Sequence, residues 1–153
     1  MKYPEETAVR SVNAMILVLT VVGFIKAAGA MELITQEEAK LPDGISRSRG
    51  VTLGPLIILV SPPATAGMIK SPLNLKIKFE SRGGVKVDED SVVLTYQKNP
   101  PIDLTQRSRS FISIHGINIE NATVPAGTHS IRVDVKDVQG RSNFLEFGFT
   151  ITR

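Results

Sequence analysis

The sequence has 153 residues, a length typical of a single domain. It contains no cysteine, which excludes disulfides, thiolate metal sites, cysteine nucleophiles and lipid attachment at a cysteine. Its 18 Lys and Arg residues against 15 Asp and Glu give a net charge of +3, too small to indicate binding to nucleic acid, and 42% hydrophobic with 22% charged residues is a globular composition.

An uncharged apolar run, AMILVLTVVGFI, occupies Ala14 to Ile25. It fits the hydrophobic region of a secretory signal peptide and falls short of the roughly 20 residues that span a bilayer. Ala28-Gly29-Ala30 has the A-x-A form of a cleavage site. The sequence therefore predicts a signal peptide over residues 1–30, a mature chain from Met31, no membrane span after cleavage, and a periplasmic or secreted protein. An uncleaved N-terminal anchor is the alternative.

Residues 31–50 differ in character from the rest and are predicted to form an N-terminal arm or linker. Thr35 with Glu38 three positions later has the form of a capping box, which predicts one helical turn over Ile34–Ala39. Leu41-Pro42-Asp43-Gly44 ends that turn, and Ile45–Gly50 is polar, basic and aperiodic, as linkers are. The favoured interpretation is a flexible tail. The alternative is a docking peptide, ordered against the following domain or against a partner.

From residue 51 onward the dominant hydrophobic period is two, which is typical of half-buried strands. Apolar residues alternate with polar ones over Leu73–Phe79, Ile131–Val135 and Leu145–Ile151. The last two segments flank the turn Asp137–Arg141 and are predicted to form a hairpin.

Three large residues lie in the middle of these alternating segments on their apolar faces: Phe79, Val133 and Phe147. They are predicted to meet in one core between two sheets. Pro55–Val60 is a continuous apolar run, which predicts a strand buried on both faces, and Ser91–Tyr96 is a further strand. About seven strands with no helix of useful length predict an all-β fold, an antiparallel sandwich over residues 51–153.

The C-terminal part carries PAGTH over Pro125–His129, then DVQG over Asp137–Gly140, then the final strand through Phe147–Ile151. This order of a P-x-G-x-[HY] turn, an alternating strand, D-x-x-G and a last strand resembles bacterial immunoglobulin-like domains. Ser61-Pro62 after an apolar strand resembles their opening strands. The resemblance covers Leu53 to Arg153 and implies an exported immunoglobulin-like or fibronectin-III-like sandwich without catalytic residues.

Candidate chemistry is sparse, because the chain has two histidines, His115 and His129. A transition-metal site needs three or four ligands, so this pair would need a carboxylate such as Asp134 or Asp137. No G-x-S-x-G motif is present, and neither histidine has a recognisable nucleophile beside it. The sequence therefore predicts no catalytic residue, no metal ligand and no cofactor.

Three charged clusters each have an interpretation as ordinary solvated surface and a functional alternative. Asp88-Glu89-Asp90 is typical of a solvated acidic turn, and calcium binding is its alternative. Arg47-Ser48-Arg49 and Arg107-Ser108-Arg109 are typical of solvated loops, and together they would form a patch for an anion or an anionic glycan.

These observations predict a non-enzymatic, exported interaction module of the cell envelope. It would recognise a protein or a polysaccharide through a sheet edge and loops. The alternative is a periplasmic carrier of a metal or small ligand that uses His115 and His129, and a hydrolase is a third, poorly supported class.

Overall fold

The computed structural model describes residues 29–45 and 52–152. Its elements in chain order are β1 (Met31–Glu32), α1 (Gln36–Ala39), β2 (Leu56–Ser61), β3 (Met68–Lys70), β4 (Leu73–Glu80), β5 (Val87–Tyr96), β6 (Ile102–Asp103), α2 (Thr105–Ser108), a 3₁₀ turn (Arg109–Phe111), β7 (Ile112–Ser113), β8 (Gly116–Thr123), β9 (Gly127–Asp137) and β10 (Ser142–Thr152). The predicted signal peptide lies outside the described residues except for Gly29 and Ala30, and the predicted boundary between arm and sandwich lies outside them. None of the helices in the described ranges has the length and apolar composition to cross a membrane.

The strands form two sheets. Sheet 1 has the order β1-β8-β4-β2, with β7 also paired to β8, and sheet 2 has the order β3-β10-β9-β5-β6. The pairs β1 with β8 and β3 with β10 are parallel, and the other pairs are antiparallel. The all-β, two-sheet prediction is confirmed.

The core lies between the two sheets. Because side chains alternate along each strand, each sheet turns one apolar face toward the other sheet. In β4 every second residue from Leu73 to Phe79 is buried, and the residues between them are exposed. Phe79, Val133 and Phe147 belong to one buried cluster, as predicted. Hydrophobic periodicity alone therefore identifies the face of these strands that is buried.

The predicted C-terminal hairpin is confirmed, with Phe147 opposite Ile131 in the β9–β10 register. Its turn is held by the Asp137 carboxylate, which accepts hydrogen bonds from the backbone N–H groups of Gln139 and Arg141 and from the Arg141 side chain at 2.7 Å. Gly140 adopts a φ of +80° there, a conformation that favours glycine.

The prediction that Pro55–Val60 is buried on both faces is wrong. Among the described residues, β2 is the last strand of sheet 1 and pairs with β4 alone. Leu56 and Val60 expose 40% and 45% of their surface. A short apolar run has the same sequence signature in a central strand and in an uncovered edge strand, so periodicity cannot separate the two.

The interpretation of the arm as a flexible tail is also wrong for its described part. The capping box is confirmed: Thr35 Oγ1 accepts from the Glu38 N–H at 3.2 Å, and Glu38 Oε2 accepts from the Thr35 N–H at 2.9 Å. Leu33 and Ile34 are buried in the core between the sheets, and β1 pairs with β8. A turn this short is stable only against a surface, and here that surface is the sandwich itself.

Candidate functional site

His129 lies in β9 and is almost fully buried. Its Nε2 is 2.9 Å from the Pro125 carbonyl oxygen, and its Nδ1 is 2.8 Å from the Tyr96 hydroxyl. Because a carbonyl only accepts, we assign the proton to Nε2, and Nδ1 then accepts from the Tyr96 hydroxyl. Both ring nitrogens are used inside the protein, which leaves neither for a metal ion.

Burial lowers the pKa of His129, because it disfavours the charged imidazolium, and the nearby Lys98 ammonium acts in the same direction. The hydrogen bond to the Pro125 carbonyl opposes this without cancelling it. Burial likewise raises the pKa of the Tyr96 hydroxyl. His129 and Tyr96 therefore form a neutral pair that joins the start of β9 to the end of β5.

The lowered pKa of His129 predicts a loss of stability in mild acid. In the unfolded chain a histidine titrates near pH 6.5, so the stabilisation by neutral His129 is complete above that pH. As the pH falls from about 6.5 through the lower folded pKa, the unfolded state gains the proton first and the free energy of unfolding decreases. Urea midpoints at pH 8 and pH 5 measure this decrease.

The matched variants for this experiment are His129→Gln and His115→Gln, because His115 is exposed in the turn between β7 and β8. His115→Gln should keep the pH dependence of the parent chain. His129→Gln should lose a large part of it between pH 6.5 and pH 5. Identical slopes for the two variants would contradict the assignment to His129.

Lys98 connects the arm to sheet 2. Its side chain is 5% exposed, its Nζ lies 2.6 Å from Asp43 Oδ1, and it sits 5.3 Å from the centre of the Tyr96 ring. The backbone follows the same path, since Gly44 N–H donates to Gln97 O and Asn99 N–H donates to Pro42 O. The ion pair between Lys98 and Asp43, here called the latch, lines a cavity of about 420 Å³ at the end of the sandwich.

The latch is an ion pair, not a reactive amine. Burial by itself lowers the pKa of Lys98, but the hydrogen bond to Asp43 and the proximity of Tyr96 raise it overall. The same hydrogen bond lowers the pKa of Asp43. An ammonium held in this way is neither a nucleophile nor a general base near neutral pH, so the cavity beside it carries no evident chemistry.

Described side chains of the charged clusters that the sequence indicates form ion pairs and hydrogen bonds within the protein. Arg109 forms an ion pair with Asp90 and donates to the Glu89 carbonyl oxygen at 3.0 Å. Arg107 forms an ion pair with Glu38 at 2.6 Å and donates to the Leu33 carbonyl oxygen, which fastens the arm. These two arginines therefore contribute little to an anion patch.

Arg47 and Arg49, the other half of the predicted patch, lie outside the described residues. Within the described ranges no group of three or more His, Asp or Glu side chains is arranged to hold a metal ion, and the acidic triplet forms no calcium cage. Asp88 instead bonds locally, with its Oδ1 accepting from the Asp90 N–H at 3.1 Å. The triplet is part of the irregular first half of β5, not a separate turn.

β2 presents an open hydrogen-bonding edge, which sequence reasoning missed. At its start, Gly54 N–H donates to Ser142 O and the Asn143 amide donates to Pro55 O. From Leu56 to Ser61, no described residue pairs with the side of β2 away from β4. The sequence carries no signal for this edge, because natural edge strands are commonly protected by charges and this segment has none.

A groove of about 480 Å³ lies over sheet 1 beside the end of β2. Its lining comes from β2, β4, β8 and the β7–β8 turn: Val60, Lys76, Ile77, Lys78, Phe79, Ser113, His115, Gly116, Ile117 and Asn118. His115 thus lines the groove over sheet 1, whereas His129 is a buried residue of β9 in sheet 2. The two histidines therefore lie in different parts of the molecule.

Comparisons with family models, with curated proteins and with solved structures each find no match for this chain. The immunoglobulin-like resemblance stays a prediction carried by the residues quoted for it.

Proposed function

We propose that the chain is an exported, non-enzymatic interaction module with an immunoglobulin-like sandwich, and that it binds an extended segment of an envelope protein along β2. The strand order supports the immunoglobulin-like part. Immunoglobulin sandwiches place strands A, B, E and D in one sheet and C, F and G in the other. Here β2, β4, β8 and β7 follow one another in sheet 1, and β5, β9 and β10 follow one another in sheet 2.

His129 gives a second, local support. Immunoglobulin-type domains carry a corner at the start of strand F, where a tyrosine hydroxyl bonds to the backbone a few residues upstream. His129 is near the start of β9, the strand in the F position, and its Nε2 bonds to the Pro125 carbonyl four residues upstream. Export is supported by the apolar run that ends before the Ala28-Gly29-Ala30 signature.

The open edge of β2 is the observation that carries the proposed function. An extended peptide that adds to a sheet edge gains main-chain hydrogen bonds and places alternate side chains against those of the edge strand. On the side of β2 away from β4, the backbone groups of Leu56–Ser61 have no strand partner among the described residues. Leu56 and Val60 are exposed there, and Ile58 is half-buried. No residue of β2 is charged, so nothing in the strand itself repels a partner strand.

The test compares two valine-to-lysine variants in the full chain. Val60→Lys puts a charge on the β2 edge, and Val93→Lys puts the same charge at a 41% exposed site on sheet 2, matched to the 45% exposure of Val60. A partner captured from the native envelope should be lost by Val60→Lys and kept by Val93→Lys, at equal melting temperatures. Hydrogen exchange in the complex should show new protection of the amides in β2.

A partner that both variants capture equally would refute the proposal, as would new protection confined to sheet 2. The carrier alternative loses its support at His129, because both nitrogens of that ring are bonded within the protein.

A further inference from the structure

Four polar side chains at one end of sheet 2 form a connected network. Nδ1 of His129 is 2.8 Å from the Tyr96 hydroxyl, and the Lys98 ammonium lies 5.3 Å from the centre of the Tyr96 ring. Lys98 Nζ in turn lies 2.6 Å from Asp43 Oδ1. His129 and Tyr96 are almost fully buried, whereas the Asp43 side chain is 84% exposed. The network therefore runs from the interior of the sandwich to its surface, where it ends on the arm.

The hydrogen bonds of this network depend on a neutral imidazole. The Tyr96 hydroxyl donates its proton to Nδ1 of His129, and its oxygen interacts favourably with the Lys98 ammonium. An imidazolium and an ammonium both donate and do not accept. If Nδ1 gained a proton, His129 and Lys98 would both donate to the one hydroxyl, and the proton of that hydroxyl would have no acceptor in the network. A buried donor without an acceptor destabilises the closed arrangement.

Among the described residues around His129, no interior carboxylate is placed to neutralise an imidazolium. Tyr96 at the end of β5 and Lys98 just after it face the ring, and Asp43 approaches it from the arm. β10 contributes the Phe149 ring and the turn before β9 contributes a backbone carbonyl, neither of which titrates. Asp43 is the one carboxylate of this set, and Lys98 already binds it at the surface. A charged His129 would therefore place a second cation close to Lys98.

The end of the arm is attached in a way that lets it open locally. Two backbone hydrogen bonds, of 3.1 and 2.9 Å, join residues 42–44 to residues 97–99 beside the latch. Asp43 is exposed and the latch lines a cavity, so both partners of the ion pair can move outward into water together. The other attachments of the arm, the β1–β8 pairing and the ion pair of Glu38, involve different residues. Opening at one end therefore leaves the rest of the arm in place.

We infer that His129 is an acid sensor for the end of the arm: its protonation turns the latch outward and releases residues 42–45 from sheet 2. Burial is the main cause of the lowered pKa of His129, and it is relieved when water enters beside the displaced latch. The open form therefore binds the proton more tightly than the closed form, and acid shifts the population toward it. This device lies in sheet 2 and goes beyond the proposed function, which uses the β2 edge of sheet 1.

Amide hydrogen exchange of the full chain, followed by NMR between pH 8 and pH 5 and corrected for intrinsic exchange rates, tests the inference. The reporters are the amides of Gly44 and Asn99, which bond across the junction between arm and sheet. They should lose protection as the pH falls, in step with the titration of the His129 ring signals. The amide of Leu33, which donates to the Thr123 carbonyl at the other attachment, should lose much less.

The carboxylate of the latch does not account for an opening in this pH range. The hydrogen bond from Lys98 lowers the pKa of Asp43 below the ordinary value of about 3.9, so Asp43 stays ionised at pH 5. His129→Gln should abolish the loss of protection at Gly44, and His115→Gln, the matched control at an exposed histidine, should retain it. If His129→Gln does not fold, agreement between exchange and the His129 titration in the parent chain still tests the assignment.

Three outcomes would overturn the inference. The first is unchanged protection of Gly44 and Asn99 between pH 8 and pH 5. The second is an equal loss at Leu33, which would mean that acid unfolds the whole domain and not the end of the arm. The third is a loss that follows the ring signals of His115 instead of those of His129. None of these outcomes depends on a partner at β2, so the proposed function stands or falls separately.

Discussion

Replacing Leu33 with alanine is expected to lower the free energy of unfolding by about 2–5 kcal/mol. Leu33 is 0% exposed and belongs to the core cluster between the sheets, although it precedes the sandwich predicted from the sequence. Its truncation removes buried methyl groups and leaves a cavity that the paired strands around it cannot close. Urea denaturation of the parent chain and the variant measures the difference.

Leu53→Ala is the matched control, because Leu53 is 60% exposed. Its effect should stay within about 0.5 kcal/mol. Deletion of residues 31–44 should lower the melting temperature by more than Leu33→Ala does, since it also removes Ile34 and the Asp43 partner of Lys98. If Leu33→Ala and Leu53→Ala have the same free energy of unfolding, Leu33 of the arm does not contribute to the core.

The arm's attachments also decide between its two possible roles. It is fastened at β1 to β8, through Glu38 to Arg107, and through Asp43 to Lys98. Releasing the arm to dock elsewhere would expose the core at Leu33. It would also leave the almost buried Lys98 ammonium without its ion-pair partner. A partner is therefore expected to meet the folded arm as part of the sandwich surface.

The strands with one face in the core were predictable, because burial on one side and water on the other impose a period of two. β4 follows that rule residue by residue, and so do β9 from His129 onward and β10 from Phe147 onward. The capping box was predictable for a similar reason, since Thr35 and Glu38 satisfy each other's backbone within one turn. The alternation and the capping box both involve residues that are close together in the sequence, so a short stretch of sequence is enough to recognise them.

The features that sequence reasoning missed depend on distant parts of the chain. Whether an apolar strand such as β2 is central or at an edge depends on which strands pair with it. The burial of Leu33 and Ile34 depends on β8, far along the sequence. One available local signal was the apolar Ile34 directly before the cap, with Ala39 at the matching position of the turn, the arrangement of a hydrophobic staple.

The candidate site was predicted only in outline. A sheet edge was expected to carry recognition, but the sequence could not say which edge is open. His115 and His129 were considered together because they are the chain's two histidines, yet their chemistry differs through burial. His129 has both nitrogens bonded in the interior, whereas His115 is exposed beside Lys78 in the groove.

Replacing Phe147 with alanine is expected to cost about 3–5 kcal/mol of unfolding free energy. Phe147 is 8% exposed, lies in the core cluster, and has its ring centre 6.2 Å from that of Phe149. Its loss removes a large apolar side chain from between two sheets that are held apart by their other residues, so the cavity persists.

Phe144→Ala is the control for Phe147→Ala, because it makes the same substitution on the same strand but on the opposite face. Phe144 is half-buried, and its ring lies 4.2 Å from the Arg132 guanidinium carbon. A cation–π contact at a partly buried site contributes about 0.5–2 kcal/mol, so Phe144→Ala should cost less than Phe147→Ala. Urea denaturation of both variants at one pH compares the two faces directly. Equal losses would mean that the face of β10 carrying Phe147 does not form the core, and the β9–β10 register would have to be revised by one residue.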